Sequence, residues 1–136
     1  MIMRNLTTIL AADIAGFSRL VGHDEEQALQ RLRAQRTEVI DPLLQRHRGR
    51  VANTAGDSLL IEFSSAVEAV RFAQQMQAEL ETDNCTLPET SRMVYRIGIS
   101  VGDVIANGDD LLGDGVNVAA RLEALAPPGG IVISRT

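Results

Sequence analysis

Two acidic residues stand where a folded chain could bring their carboxylates together. Asp13 follows a short apolar segment, residues 7–12, that is typical of a buried strand, and Asp57 lies in a Gly-Asp turn between two predicted strands. If the first strand pairs with the strand after the turn, both carboxylates lie at one edge of the sheet and repel each other unless a cation separates them. Such oxygen ligands suit Mg²⁺ or Mn²⁺, which bind through one or two carboxylates together with substrate phosphates. The alternative is that Asp57 is only a turn residue and Asp13 only a helix or turn cap.

A second candidate pair lies on a predicted helix near the end of the chain. Asn117 and Arg121 are four residues apart in the segment Gly-Asp-Gly-Val-Asn-Val-Ala-Ala-Arg, so they share one helix face. An amide and a guanidinium on one face could bind phosphate and ribose oxygens. Arg121 could instead pair with Glu123 or Asp114 at the surface, and the spacing alone does not decide between the two interpretations.

The elements that position these residues follow the order β-α-β-β-α-β-α-β. Hydrophobic periodicity and turn signals predict strands over residues 7–12, 50–54, 58–63, 93–104 and 131–134, helices over residues 24–48, 66–80 and 115–125, a polar loop over residues 82–92 and a turn over residues 107–110. Pro42 is expected to kink or divide the first helix. The first six elements match the split βαββαβ pattern. We therefore predict one α+β domain, residues 1–136, with a ferredoxin-like antiparallel sheet covered by helices on one face.

The composition argues against several other classes of protein. The 136 residues allow one domain with a hydrophobic core. Thirteen basic and eighteen acidic residues give a net charge of −5, which argues against a nucleic-acid backbone or an anionic membrane as the main partner. No apolar run approaches the roughly 20 residues of a membrane span, and the single cysteine, Cys85, cannot form an internal disulfide. We expect a cytoplasmic protein with no nucleic-acid partner and no membrane span.

Three motifs together resemble the catalytic domain of the class III adenylate/guanylate cyclases, as found in bacteria. They are Asp-Ile-Ala-Gly-Phe-Ser at residues 13–18, Gly-Asp at residues 56–57, and Asp-Leu-Leu-Gly-Asp-Gly-Val-Asn-Val-Ala-Ala-Arg-Leu-Glu at residues 110–123. The order and the approximate spacing of the motifs also fit, and the resemblance extends from about Thr7 to the end of the chain. The Asn-Val-Ala-Ala-Arg stretch after Gly-Asp-Gly is the part most specific to the family.

The resemblance implies a reaction and a metal site. Members of the family convert ATP or GTP into the 3′,5′-cyclic nucleotide and pyrophosphate by attack of the ribose 3′-hydroxyl on the α-phosphate. By the family pattern, Asp13 and Asp57, with Ile14 beside them, would hold two Mg²⁺ or Mn²⁺ ions. Backbone N–H groups of the turn after the first strand would cradle the phosphates. These phosphate-binding residues are Gly16, Phe17 and Ser18.

The resemblance also implies a homodimer with shared active sites. Family members form head-to-tail dimers, and each site takes residues from both chains. From the partner chain, Asn117 would orient the ribose, and Arg121 would stabilise the charge that develops on the α-phosphate.

The sequence departs from the family pattern in two places. Base selection usually relies on a lysine four positions before the hairpin aspartate and an aspartate seven positions before the asparagine. Asp110 fits the second position, but Asn53 occupies the first, and its amide donates without charge and with a shorter reach. This pair favours ATP over GTP. Family domains also continue beyond the position of Thr136 with a lysine that contacts the triphosphate, so we expect this domain to be truncated at its C-terminus.

Three alternatives to an adenylate cyclase remain open at this point. A catalytically silent nucleotide-binding or dimerisation module would explain Asn53 and the early end of the chain, but not the intact catalytic and metal positions. A guanylate cyclase would keep the chemistry and change the base. A metal-binding ferredoxin-like domain of the polymerase-palm type would explain the two carboxylates, but not Asn117 and Arg121.

Overall fold

Six strands form one sheet at the centre of the molecule. The computed structural model describes the backbone of residues 3–107, 110–112 and 114–134 and the side chains of residues 7–101 and 115–134. The strands are β1 (Met3–Ile14), β2 (Arg50–Ala55), β3 (Ser58–Phe63), β4 (Tyr95–Asn107), β5 (Asp110–Leu112) and β6 (Ile131–Ser134). Their order is β2-β3-β1-β4-β5, and β6 runs parallel beside the first part of β4. The predicted α+β, ferredoxin-like fold is confirmed, and part of the predicted turn at 107–110 lies outside the described residues.

Four of the helices cover one face of this sheet. The helices are α1 (Phe17–His23), α2 (Glu25–Gln35), α3 (Asp41–His47), α4 (Ala66–Asn84) and α5 (Asp114–Leu125). Alternate residues of the strands, such as Leu10 and Ile97, point into the main core and meet apolar residues of α2, α3 and α4, such as Leu32, Leu43 and Phe72. In the part of the chain that the structure describes, no helix has the length and hydropathy needed to cross a bilayer.

The long first helix is divided in front of Pro42, as the sequence predicts. A π-helical turn, Arg36–Ile40, separates α2 from α3, and the amide of Asp41 bonds to the carbonyl of Arg36 five residues earlier. Pro42 lies in the first turn of α3, where it needs no amide hydrogen. In an uninterrupted helix its ring would clash with the carbonyl of Glu38. The wider turn therefore accommodates the proline, although the sequence did not predict its π-helical form.

Two further differences from the prediction have local causes. The chain turns directly into α1 after Gly16, which has a positive φ of 69°. This short helix has no fully buried residue, so its periodic signal is weak. The helix α4 extends beyond Leu80 into the predicted loop and ends at Asn84. The buried Asn84 side chain donates to the Met93 carbonyl at 2.8 Å and accepts from the Met93 amide at 3.3 Å, which fixes the end of α4 against the chain that leads into β4.

The helix α5 packs on the opposite face of the sheet from α1 to α4, so the prediction that the helices cover one face was wrong for this helix. Ala119 is fully buried against Ile9 and Ala11 of β1. Gly98 of β4 permits this close approach, because a Cβ atom at Gly98 would overlap the backbone of Ala119 and Glu123. The glycine therefore sets the distance between α5 and the sheet, and with it the position of every side chain on that helix.

Gly98→Ala is expected to lower the free energy of unfolding by ~2–3 kcal/mol, because the rigid backbone of α5 must move to accept the methyl group. Urea unfolding followed by circular dichroism would measure the change. Gly22→Ala is the matched control, since a Cβ there meets nothing within 4 Å in α1, and it should leave stability unchanged or raise it by up to about 1 kcal/mol. Equal stability of the two variants would contradict the close packing of α5.

Candidate active site

Asp13 and the carboxylate of Asp57 both lie near the end of the central strand β1. The hairpin β2–β3 is joined by the two-residue turn Gly56–Asp57, in which Gly56 has a positive φ of 60°. Since β3 pairs with β1, this turn lies beside the last residues of β1, and Asp57 Oδ2 accepts a 2.8 Å hydrogen bond from the Ile14 amide. The bond orients the Asp57 carboxylate and leaves its other oxygen for another partner. The Ile14 side chain is buried in the core, so Ile14 can contribute to a metal site only through its backbone.

Two further charged residues, Glu123 and Arg96, lie next to Asp13. Arg96 is the cross-strand partner of Asp13, so both side chains lie on the face of the sheet that carries α5. Glu123 reaches the same place from α5. The pKa of its carboxyl is raised to about 8, first by burial, then by hydrogen bonding to Asp13 and by the negative charge of Asp13, while Arg96 opposes the shift and Asp57 adds to it. Three carboxyl groups and the Arg96 guanidinium therefore lie close enough to interact at this end of β1.

This donor set fits a hard divalent cation. The carboxylates of Asp13 and Asp57 offer oxygen ligands, and the pKa of Glu123 is raised first by its burial and then by the neighbouring Asp13 and Asp57. Within residues 7–101 and 115–134, no group of three or more histidine, cysteine or acidic side chains forms a metal cage. A cation here would therefore complete its shell with water or with phosphate oxygens, as Mg²⁺ usually does.

The predicted phosphate-binding residues form the beginning of α1. Gly16 is the N-cap residue, and Phe17 and Ser18 are the first two residues of the helix. No side chain caps this first turn, and the first amides of a helix have no partner within the helix. The amides of Phe17 and Ser18 are thus available to an anion close to the two aspartates.

The predicted base-recognition residues, Asn53 and Asp110, belong to β2 and β5. Asn53 is exposed on β2 next to a bulge in the pairing with β3, and it lines a cleft of about 180 Å³ together with Glu123 and Ala120. Asp110 is the first residue of β5. The strand β5 lies close to β2, although the two strands are at opposite ends of the strand order. The Asp110 side chain lies outside the described residues.

The structure does not bring Asn117 and Arg121 to the aspartates of the same chain. Both side chains are exposed on α5, whereas Ala119 and Glu123 of the same helix face the sheet. Among the described residues, neither side chain makes a hydrogen bond or an ion pair, so the suggested pairing of Arg121 with Glu123 is not observed. The other suggested partner, the Asp114 side chain, lies outside the described residues.

Comparison with known proteins identifies the family to which this chain belongs. The model of the family described as adenylate and guanylate cyclase catalytic domain matches residues 3–136. The chain belongs to this family. A protein of Rhizobium meliloti (strain 1021) named "Putative adenylate cyclase 3" is 49% identical to the cyclase domain over 133 residues, which are 98% of this chain and 23% of that protein.

Two other comparisons agree with this assignment. An adenylate cyclase of Streptomyces coelicolor is 31% identical over 122 residues, which are 90% of this chain and 30% of that protein. The cyclase domain thus spans about a quarter to a third of the length of these two relatives. The crystal structure of an adenylate/guanylate cyclase/hydrolase from Silicibacter pomeroyi matches with a TM-score of 0.89 at 42% identity, covering 97% of this chain and 76% of that chain. The predicted class III resemblance is confirmed.

Glu123→Gln is expected to stabilise the metal-free cyclase domain at pH 8 and to have no effect near pH 4. The folded-state pKa of Glu123 is raised from 4.5 to about 8, so its contribution to stability is complete below pH 4.5 and is lost as the pH rises towards 8. Because the carboxyl is partly exposed, solvent screening limits the gain to about 1 kcal/mol. Thermal melting in EDTA from pH 4 to pH 9 would measure it. A gain that is constant with pH would contradict the raised pKa.

Proposed function

We propose that this cyclase domain converts ATP into 3′,5′-cyclic AMP and pyrophosphate for intracellular signalling, and that it does so as a homodimer with two Mg²⁺ or Mn²⁺ ions in each shared site. The observation that carries the proposal is the hydrogen bond from the Ile14 amide to Asp57, which holds the Asp57 carboxylate near Asp13 at the end of β1, in a chain that belongs to the cyclase catalytic-domain family. The name of the Rhizobium meliloti relative supports ATP as the substrate.

The residues around the two aspartates supply binding and orientation. When bound, the ions would lower the pKa of the ribose 3′-hydroxyl and neutralise charge on the phosphates. Asp13 and Asp57 would hold them, and the amides of Phe17 and Ser18 would fix the triphosphate at the beginning of α1. The protein therefore acts by positioning and by electrostatic stabilisation, with no covalent step of its own.

Arg96 is a further candidate for binding the triphosphate. The chain contains no lysine, and Arg96 lies opposite Asp13 with a buried Nε that has no hydrogen-bond partner among the described residues. A buried donor without a partner is costly unless something else satisfies it, and a phosphate oxygen would do so. Sequence analysis did not identify Arg96, although a charge in an otherwise apolar strand was the signal that could have found it.

The orientation of α5 supports a shared site. Asn117 and Arg121 are exposed on the side of α5 that faces away from the sheet, so they are free to reach a nucleotide held by a second chain. There, Asn117 would orient the ribose, and Arg121 would stabilise the charge on the α-phosphate. One chain alone would then have the metal residues of one site and the catalytic pair of another.

A substitution at Asn53 would test whether this position sets the preference for adenine over guanine. Asn53→Lys should raise the ratio of kcat/KM for ATP to that for GTP by about tenfold, because a charged donor to adenine adds about 1.4 kcal/mol of discrimination. Thr54→Lys is the matched control, since Thr54 lies on the other face of β2, opposite Leu59. Steady-state assays with Mn²⁺ and each nucleotide would measure both variants. A gain for GTP, or an equal gain in Thr54→Lys, would contradict base reading by this position.

The second candidate is a catalytically silent nucleotide-binding module, which Asn53 favours because the position lacks a charged donor. Nucleotide binding by the unmodified protein with Mn²⁺, without formation of a cyclic product from ATP or GTP, would support this candidate over the cyclase.

A further inference from the structure

An arginine on the face of the sheet that α1 to α4 cover contacts the turn that contains Asp57. Arg36 is the first residue of the π-helical turn, and its guanidinium donates a 3.3 Å hydrogen bond to the carbonyl of Gly56, the residue directly before Asp57. The two residues are 20 positions apart in the sequence. The bond therefore ties the helical layer to the tip of the β2–β3 hairpin.

The second neighbour of this arginine is Tyr95, the first residue of β4. Tyr95 is fully buried, and burial raises the pKa of its hydroxyl to about 12, with Arg36 opposing the shift and the charge of Asp57 adding to it. The Tyr95 hydroxyl and the Arg36 Nε are both buried, and neither has a hydrogen-bond partner among the described residues. Arg36, Tyr95 and Asp57 thus form one polar cluster behind the metal pair.

Such a cluster is not expected to increase the free energy of unfolding. A buried donor or acceptor without a partner costs about 1–3 kcal/mol, and an apolar side chain at position 36 would avoid that cost. The unsatisfied polar atoms, together with the bond from Arg36 to the Gly56 carbonyl, indicate that Arg36 acts on the neighbouring turn.

We propose that Arg36 is a positioning residue for the metal site: it holds the Gly56–Asp57 turn against the helical layer, so that Asp57 keeps its bond to the Ile14 amide and directs its other oxygen to the cation. The inference rests on the proposed metal-binding function of Asp57. In this role Arg36 acts through Asp57 and does not contact the nucleotide.

Replacing Arg36 should change the metal affinity in opposite directions under two explanations. In one, Arg36 positions Asp57; in the other, Arg36 acts only through its positive charge. Removing a positive charge near a cation site should strengthen cation binding, since like charges repel. Loss of a positioning contact should weaken it, typically by about tenfold for residues that orient metal ligands. A variant without the arginine therefore gives opposite results under the two explanations.

The test is Mn²⁺ binding to the protein, followed by the electron paramagnetic resonance signal of free Mn²⁺. Arg36→Gln should raise the dissociation constant about tenfold. Arg36→Lys keeps the charge, but its shorter side chain does not reach the Gly56 carbonyl, so it should also weaken binding. Arg33→Gln is the matched control, because Arg33 is exposed one turn earlier in α2, and it should bind Mn²⁺ within about twofold of the unmodified protein. Melting curves would establish that each variant is folded, and Arg36→Lys decides the question if Arg36→Gln is not.

Unchanged or tighter Mn²⁺ binding by the folded Arg36 variants would overturn the inference. The readout does not depend on turnover, so failure of the inference is distinguishable from failure of the proposed activity. An unmodified protein that binds Mn²⁺ but makes no cyclic nucleotide would refute the activity and still test Arg36. An unmodified protein that does not bind Mn²⁺ would refute both the metal site and the role of Arg36.

Discussion

Asp57→Asn is expected to lower cyclic AMP formation by about a thousandfold while leaving the fold intact. The asparagine side chain has the same shape and keeps a carbonyl oxygen for the bond from the Ile14 amide, so the hairpin turn should not move. It loses the negative charge that is proposed to bind the cation, and the cation would in turn neutralise the triphosphate. Production of cyclic AMP from ATP with Mn²⁺, together with a melting curve for each protein, would measure the effect.

Asp83→Asn is the matched control for this substitution. Asp83 is exposed near the end of α4, on the helical side of the sheet, and the same chemical change there should leave activity within about twofold of the unmodified protein. Activity of Asp57→Asn above a tenth of the unmodified value would contradict the assignment of Asp57 to the metal site.

Two inactive variants are expected to restore activity to each other when they are co-expressed. Arg121→Ala removes the residue that is proposed to act in the partner's site, and Asp57→Asn removes the proposed metal ligand. A mixed dimer would have one site with both defects and one site with neither. Since half of randomly assembled dimers are mixed, and each has one intact site of two, the mixture should reach about a quarter of the unmodified activity.

This result tests the shared site directly. The exposed position of Arg121 and the absence of a contact with Glu123 are the structural reasons to expect it. Co-purification with two different affinity tags would isolate the mixed dimer, and its activity would be compared with that of each variant alone. If the mixed dimer is as inactive as its parents, Asp57 and Arg121 act in the same site of one chain, and the proposed sharing is wrong.

The positions of Asp13 near the end of a strand and of Asp57 in a hairpin turn could be predicted because their signals are local. A short apolar run that ends in an aspartate and a Gly-Asp turn between two strands are visible in a few residues each. Ferredoxin-like topology then places the hairpin beside the first strand, and the bond from Ile14 to Asp57 follows from that pairing. The beginning of α5 was predicted equally well, since Gly115 and the apolar spacing of the helix mark it.

The surroundings of the metal pair could not be predicted in the same way. Glu123 was considered only as a surface partner for Arg121, because its contact with Asp13 depends on α5 packing closely over Gly98 on the second face of the sheet. That contact joins residues 110 positions apart. The role inferred for Arg36 likewise depends on a π-helical turn, and no periodic pattern distinguishes one extra residue in a turn from a helix interrupted by proline.

The most direct test of the central claim is the formation of cyclic AMP from ATP by the unmodified protein. With Mn²⁺ present, the account predicts a cyclic product that depends on ATP concentration, is lost in EDTA and returns when Mn²⁺ is added back. Nucleotide binding without any cyclic product, from ATP or from GTP, at every Mn²⁺ concentration would contradict it.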